Sequence, residues 1–170
     1  MKKNLLLLLS GVLLSLFLTS CACCRSGAEK EAVSLIREGK AECVLLKDGK
    51  IIHTEKGRGV SPLLRIYEKY PSKMQGSRIV DKVIGRAAGM IAILGKAESV
   101  HGEVVSKDAV LLLEKHGIKV SHTLLVERIL NRRRNDLCPL EKSVQGIEDP
   151  QKALASMKKA ISTMMQQNKK

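Results

Sequence analysis

Tryptophan is absent from this 170-residue chain, and phenylalanine occurs once, as Phe17. Tyr67 and Tyr70 are the only other aromatic residues. Proteins that hold single-stranded nucleic acid usually stack bases on several aromatic rings, so that class is disfavoured despite a formal charge of +13. Cys23, Cys24, Cys43 and Cys138 form no CxxC pair, and no Cys/His cluster has metal-site spacing, so no metal or other cofactor is expected. The GxSxG of serine hydrolases is missing. The stretch Gly89 to Ala97, GMIAILGKA, fails as a phosphate loop: its glycines stand one residue too far apart, and no Ser or Thr follows the lysine. Long apolar runs are scarce as well. The longest, Leu5 to Leu18, is interrupted by Ser10, Gly11 and Ser15 and is shorter than the roughly 18 to 20 residues a spanning helix needs.

What that run does resemble is the core of a signal peptide, with Lys2 and Lys3 before it. Leu18-Thr19-Ser20-Cys21 resembles the lipobox of bacterial lipoproteins, which implies a thiol at Cys21 that is diacylated and becomes the first residue of the mature protein. Two acyl chains give stable membrane attachment where one is marginal. The expected partner is therefore a membrane, inner or outer, with the protein on its extracytoplasmic side. Two alternatives stay open: an ordinary cleavage site at Ser20-Cys21-Ala22, or an uncleaved anchor. Loss of Lys2 and Lys3 would lower the charge by two, to about +11, and such an excess favours anionic surfaces. The organisation expected is a leader over 1–20, a tether over 21–28, one domain over 29–148 and a terminal amphipathic helix over 149–170.

Local signals divide the mature chain finely. Glu29 to Glu38 is apolar at Ala32, Val33, Leu35 and Ile36 and ends at Gly39, as a helix does. Cys43 to Leu46 and Ile51 to Thr54 flank Asp48-Gly49, a strong hairpin signal. Ser61-Pro62 opens a helix carrying Leu63, Ile66, Tyr67 and Tyr70 on one face. Ile79-Val80 reads as a strand, with Asp81 capping a buried helix from Lys82 to Leu94. Ser99 to Val105 is a strand, Ser106 caps a helix ending near Gly117, Ile118 to Val120 is a strand, and Leu124 to Leu130 a further helix. Asp149-Pro150 opens the last helix, and Gln166 to Lys170 should fray. A hairpin followed by alternating strands and helices makes an α/β protein: a mixed sheet of about five strands with helices on both faces, three layers in all.

Three stretches carry a family resemblance: LKDGKIIHTEKGRGVSPLLRIYEK, IVDKVIGRAAGMIAILGKAESVHGEVVSKDAVLLLEKHGIKVSH and ILNRRRNDLCPLE. In that order they are similar to the domain of unknown function numbered 1893, over roughly residues 42–142. The resemblance implies a cytidine deaminase-like fold and assigns no activity. Deaminases of that fold hold zinc with a His or Cys at one helix start and Pro-Cys-x-x-Cys at the next, and add a glutamate as acid and base. Here those places carry Gly57-Arg58-Gly59-Val60-Ser61 and Val80-Asp81-Lys82-Val83-Ile84, which argues against zinc-dependent deamination.

If the implied fold holds, the helix starts near Pro62 and Lys82 converge, and their free N–H groups favour an anion there. The candidate ligand-binding residues are Arg58, Gly59, Ser61, Asp81 and Lys82, joined by Arg132, Cys138 and Glu141 from the last motif. Turns and single caps would explain most of these equally well. Cys138 is fixed in direction by Pro139 and stands near three arginines, yet lacks an adjacent histidine; a buried apolar role suits it better than that of a nucleophile. A Cys43–Cys138 disulfide is left open by the sequence. His53, His101, His116 and His122 are isolated and carry no catalytic expectation. Three functional classes follow: a membrane-anchored binding module for a small anionic or nucleotide-like ligand, an enzyme using Asp81, Lys82 and Cys138, and a basic adaptor for anionic surfaces or a partner protein.

Overall fold

The structure is a computed structural model and describes residues 22–167. Cys21 and the expected leader lie outside the described residues. Helix α1 (Ala22–Arg37) comes first, and so helical backbone begins seven residues before the expected Glu29. Its inner face, Ala32 and Ile36, packs on Val44, Leu46 and Val80. Strands β1 (Cys43–Lys47) and β2 (Lys50–Glu55) form the hairpin. Its turn is made by Asp48 at φ 50° and Gly49 at φ 73°, the left-handed pair that a two-residue turn between twisted strands requires.

Helices α2 (Ser61–Lys69) and α3 (Pro71–Met74) lead to β3 (Arg78–Ile84), and α4 (Arg86–Leu94), β4 (Ser99–Ser106), α5 (Lys107–Lys115) and β5 (Lys119–Val126) follow. The sheet order is β2-β1-β3-β4-β5. Strand β1 is antiparallel to both neighbours, whereas β3, β4 and β5 run parallel. The face opposite α1 is covered by α2, α4 and α5 around Leu63, Ile66, Ile79, Met90, Ile91 and Leu113. Short α6 (Pro139–Ser143) and long α7 (Pro150–Gln167) complete the fold, with α7 sealing α4 through Ala153, Leu154 and Met157. Asp149 caps α7, its carboxylate accepting from the amides of Gln151 at 2.7 Å and Lys152 at 3.1 Å. The expected three-layer mixed α/β architecture is therefore present.

Besides the early start of α1 and the unexpected short helices α3 and α6, two departures from the sequence expectation reshape the site. The buried helix starts at Arg86, not Lys82, because β3 continues through Val83 and Ile84, which pair with Val104 and Val105 of β4. Asp81 caps no helix; its Oδ1 accepts from the amide of Val83, 3.0 Å away, within the strand. The second departure is Leu124 to Leu130, expected as a helix. Residues up to Val126 instead extend β5, where the backbone gains a continuous parallel partner from Ser99 to Ser106. The chain then turns, and a bridge between Leu130 and Leu137 closes a loop whose bend includes Arg134 at φ 57°. Arg132, Arg133 and Arg134 are exposed in that loop rather than at a helix end.

Candidate ligand-binding cleft

All three parallel strands end at one side of the sheet, and the chain leaves each of them differently. After β3 it passes Gly85 into α4, after β4 it runs straight into α5, and after β5 it turns at Glu127 and Arg128. The starts of α4 and α5 thus open on the same side, where parallel sheets commonly bind ligands. Ser106 caps α5 through the amide of Ala109 at 3.2 Å, as its sequence position suggests.

Helix α4 has no such local cap; its N-cap residue, Gly85, has no side chain to supply one. The missing acceptor comes from 55 residues away. Glu141 of α6 sets one carboxylate oxygen 2.8 Å from the Arg86 amide and the other 3.0 Å from that of Ala87. Burial raises the Glu141 pKa above its usual value, opposed by these two N–H groups. The geometry also explains the glycine. A Cβ at residue 85 would stand 2.4 Å from the Glu141 carboxylate, so only glycine leaves room for it.

Arg86 fixes the surroundings. Its residue is 9% exposed, and its guanidinium donates to Asp108 Oδ1 at 2.9 Å, to the Ile147 carbonyl at 2.8 Å and to Glu148 Oε1 at 2.7 Å. One side chain thereby ties α4 to α5 and to the segment before α7, while its buried Nε has no partner in the protein. Beside it opens a cleft of about 230 Å³ lined by Arg86, Ser106, Asp108, Arg128, Glu141 and their neighbours, among them Glu127. Carboxylates outnumber guanidinium groups here, and Asp108 and Glu148 already balance Arg86. The cleft therefore suits a ligand that offers N–H or O–H donors as well as an anionic group for Arg128, rather than a bare anion.

Of the eight ligand-binding candidates named from sequence, only Glu141 lines this cleft. Arg58 and Gly59 are exposed in a turn, where the Ser61 amide donates to the Arg58 carbonyl at 3.3 Å. Ser61 is the first residue of α2 and supplies no side-chain cap. Asp81 is buried between Cys43 of β1 and Gly102 of β4, and burial pushes its carboxyl up to about 7, against the pull of the Val83 amide. Lys82 pairs with Glu42 at 3.6 Å. Cys138 is half-buried ahead of α6, one residue beyond the cleft's Leu137, and Arg132 is exposed. Among the described residues no side-chain to side-chain hydrogen bond or ion pair joins Asp81, Lys82 and Cys138. Cys43 and Cys138 are free thiols, and burial raises the Cys43 thiol well above its usual value. The arginine that organises the site, Arg86, was missed from sequence; its signal was a lone charge at the start of the otherwise apolar run GRAAGMIAIL.

The donors at the helix starts do not fit a zinc ion of the deaminase kind. Val60-Ser61-Pro62 and Gly85-Arg86-Ala87 offer neither thiolate nor imidazole, and the second position already holds an internal carboxylate. Among the described residues no three metal-ligating side chains cluster, and no helix is long and apolar enough to cross a membrane.

Comparison with known proteins agrees with the fold. No curated protein matches the chain. A crystal structure of a DUF1893 family protein (TM1506) from Thermotoga maritima is similar at 23% identity and a TM-score of 0.68, covering 81% of this chain and 90% of that one. A second Thermotoga maritima structure, described as a diaminohydroxyphosphoribosylaminopyrimidine deaminase/5-amino-6-(5-phosphoribosylamino)uracil reductase, has 16% identity and a TM-score of 0.43, over 72% of this chain and 41% of that one. The family model described as TM1506, domain of unknown function (DUF1893), matches residues 31–161, most of the described chain, and the protein belongs to that family.

Proposed function

We propose that this protein is a lipid-anchored binding module that takes a small nucleotide-like ligand in the Arg86–Glu141 cleft, without zinc. The observation that carries the reading is the seat of Glu141. Two backbone amides of α4 hold its carboxylate beside an open cleft, so the cleft presents a fixed acceptor to the N–H edge of a base while Arg128 stands ready for an anionic group. The mixed charge of the lining sharpens the anionic ligand expected from the sequence to one that carries donors too. A thermal-shift series with nucleoside monophosphates tests it. A ligand at about 100 times its dissociation constant should stabilise the fold by about 2.7 kcal/mol and shift the NMR signals of the Arg86 and Ala87 amides. If millimolar nucleotides move neither the melting temperature nor those amides, the reading is wrong.

The anchor is proposed on Cys21, from the lipobox resemblance. Support for its geometry comes from α1. Glu29 pairs with Arg78 at the start of β3, at 2.6 Å, whereas Arg37 pairs with Glu103 toward the end of β4, also at 2.6 Å. Helix α1 therefore runs alongside the parallel strands, with Ala22 about 10 Å beyond Glu29 at 1.5 Å per residue. A lipid next to Ala22 would hold the sheet end opposite the cleft toward the membrane and leave the cleft facing away. Radiolabelled palmitate should enter the wild-type chain and be lost in Cys21→Ser; equal labelling of both would remove the anchor from the proposal.

A further inference from the structure

The sheet ends at β5, and among the described residues no backbone group pairs with its outer edge. Natural proteins usually blunt so long an edge with proline, a bulge or a lysine in mid-strand. Strand β5 has none of these: between Lys119 and Val126 it reads Val-Ser-His-Thr-Leu-Leu. Exposed apolar residues gather there too. Leu124 is 54% and Leu125 41% exposed on the strand, with Leu111 at 69% on adjoining α5 and Leu130 at 42% just beyond.

We infer that β5 is the edge along which a second copy of this chain docks, so that one sheet runs through both copies. The charges select the occupant and the register. In a continuous antiparallel pair, residues opposite each other point to the same face, and a two-fold axis must therefore set one residue against its own copy. Centred on Thr123, the axis brings Val120 opposite Val126, Ser121 opposite Leu125 and His122 opposite Leu124, and sets Lys119 beside Glu127, the first residue past the strand. Centring on His122 faces Lys119 with Leu125 instead, and centring on Leu124 faces Val120 with Arg128. Only the Thr123 register joins opposite charges, and it does so twice by symmetry. Lys119 makes no ion pair among the described residues, and Glu127, bonded to Lys107 at 2.7 Å, is exposed enough to accept a second cation. Strand ends of opposite sign make this edge complementary to its own reversed copy. Because Glu127 and Arg128 border the cleft, Lys119 of the second copy would also come to its rim.

Directly opposed Thr123 residues would have Cα atoms about 4.5 to 5.5 Å apart, within disulfide range. Full-length Thr123→Cys, oxidised in membranes of expressing cells, should therefore give covalent dimer several-fold above the background from the native cysteines. If that variant does not fold, Ser121→Cys combined with Leu125→Cys reads the same register. Sedimentation of the purified full chain in detergent supplies the second arm. Wild type should be dimeric, Lys119→Glu should raise the dissociation constant about tenfold, and Lys119→Glu with Glu127→Lys should restore it. Cross-linking no greater than in wild type, cross-linking to a different protein, a monomeric wild type, or a dimer indifferent to Lys119→Glu would each overturn the inference.

Discussion

Replacing Asp81 with asparagine should make the protein markedly more stable at pH 8 and leave it little changed at pH 4. The carboxyl is 5% exposed at the centre of the sheet and titrates at about 7 instead of 3.8. Below 3.8 it is protonated in folded and unfolded chains alike, and folding is indifferent to it. Between 3.8 and about 7 the unfolded chain releases its proton while the folded chain keeps one, so each rise in pH weakens the fold. Above 7 both forms are ionised and the loss is complete. At 1.36 kcal/mol per pH unit the full loss is about 4 kcal/mol. Asparagine carries no charge to bury, and its oxygen can still accept from the Val83 amide, which now bonds Oδ1 at 3.0 Å. Urea unfolding followed by circular dichroism suits a chain without tryptophan. With a slope near 2 kcal/mol per molar, the gap between variant and wild-type midpoints should widen by about 2 M from pH 4 to pH 8. A gap that is the same at both ends would refute the argument, because it would mean that Asp81 is not held as a buried neutral acid.

Three further outcomes are expected. Glu141→Ala should cost about 1 kcal/mol as the loss of a helix cap, and Gly85→Ala about 1 to 3 kcal/mol because its methyl meets the Glu141 carboxylate. Since Gly85 has an extended φ of −103°, the double variant should recover most of the Gly85→Ala loss, and a cycle with no coupling would contradict the contact. Arg86→Met should release the Ile147 carbonyl and Glu148, so that amide hydrogens of residues 146–149 exchange faster while those of β3 do not; unchanged exchange there would exclude the tie. Met157→Ala should lower stability by about 2 to 5 kcal/mol by opening a hole between α7 and α4, and a loss below about 1 kcal/mol would show that α7 is peripheral.

Much of the architecture was written in local signals. Asp48-Gly49 set the hairpin, Ser106 and Asp149 set two helix starts, and alternating strands and helices after the hairpin set the mixed sheet, because each of these depends on residues a few positions apart. The motifs around GRGVSP, GRAAGM and NRRRNDLCPLE pointed to the family in the same way. Tertiary structure overruled the sequence where a local preference competed with a distant partner. Asp81 had the right type and place to cap a helix, yet β4 offered Val83 and Ile84 a continuous strand partner, and the strand continued. The cap that α4 then needed came from Glu141, 55 residues away, and no local pattern announces such a pair. The same holds for Leu124 and Leu125, whose helical spacing yielded to the ladder along β4 and left them on an open edge. Sequence alone therefore determined the hairpin, the alternation of strands and helices that follows it, and the caps of α5 and α7, which are short-range hydrogen-bonding choices. Where the strands end, and hence which carboxylate stands at the cleft, was decided only when backbone groups far apart in the chain found each other.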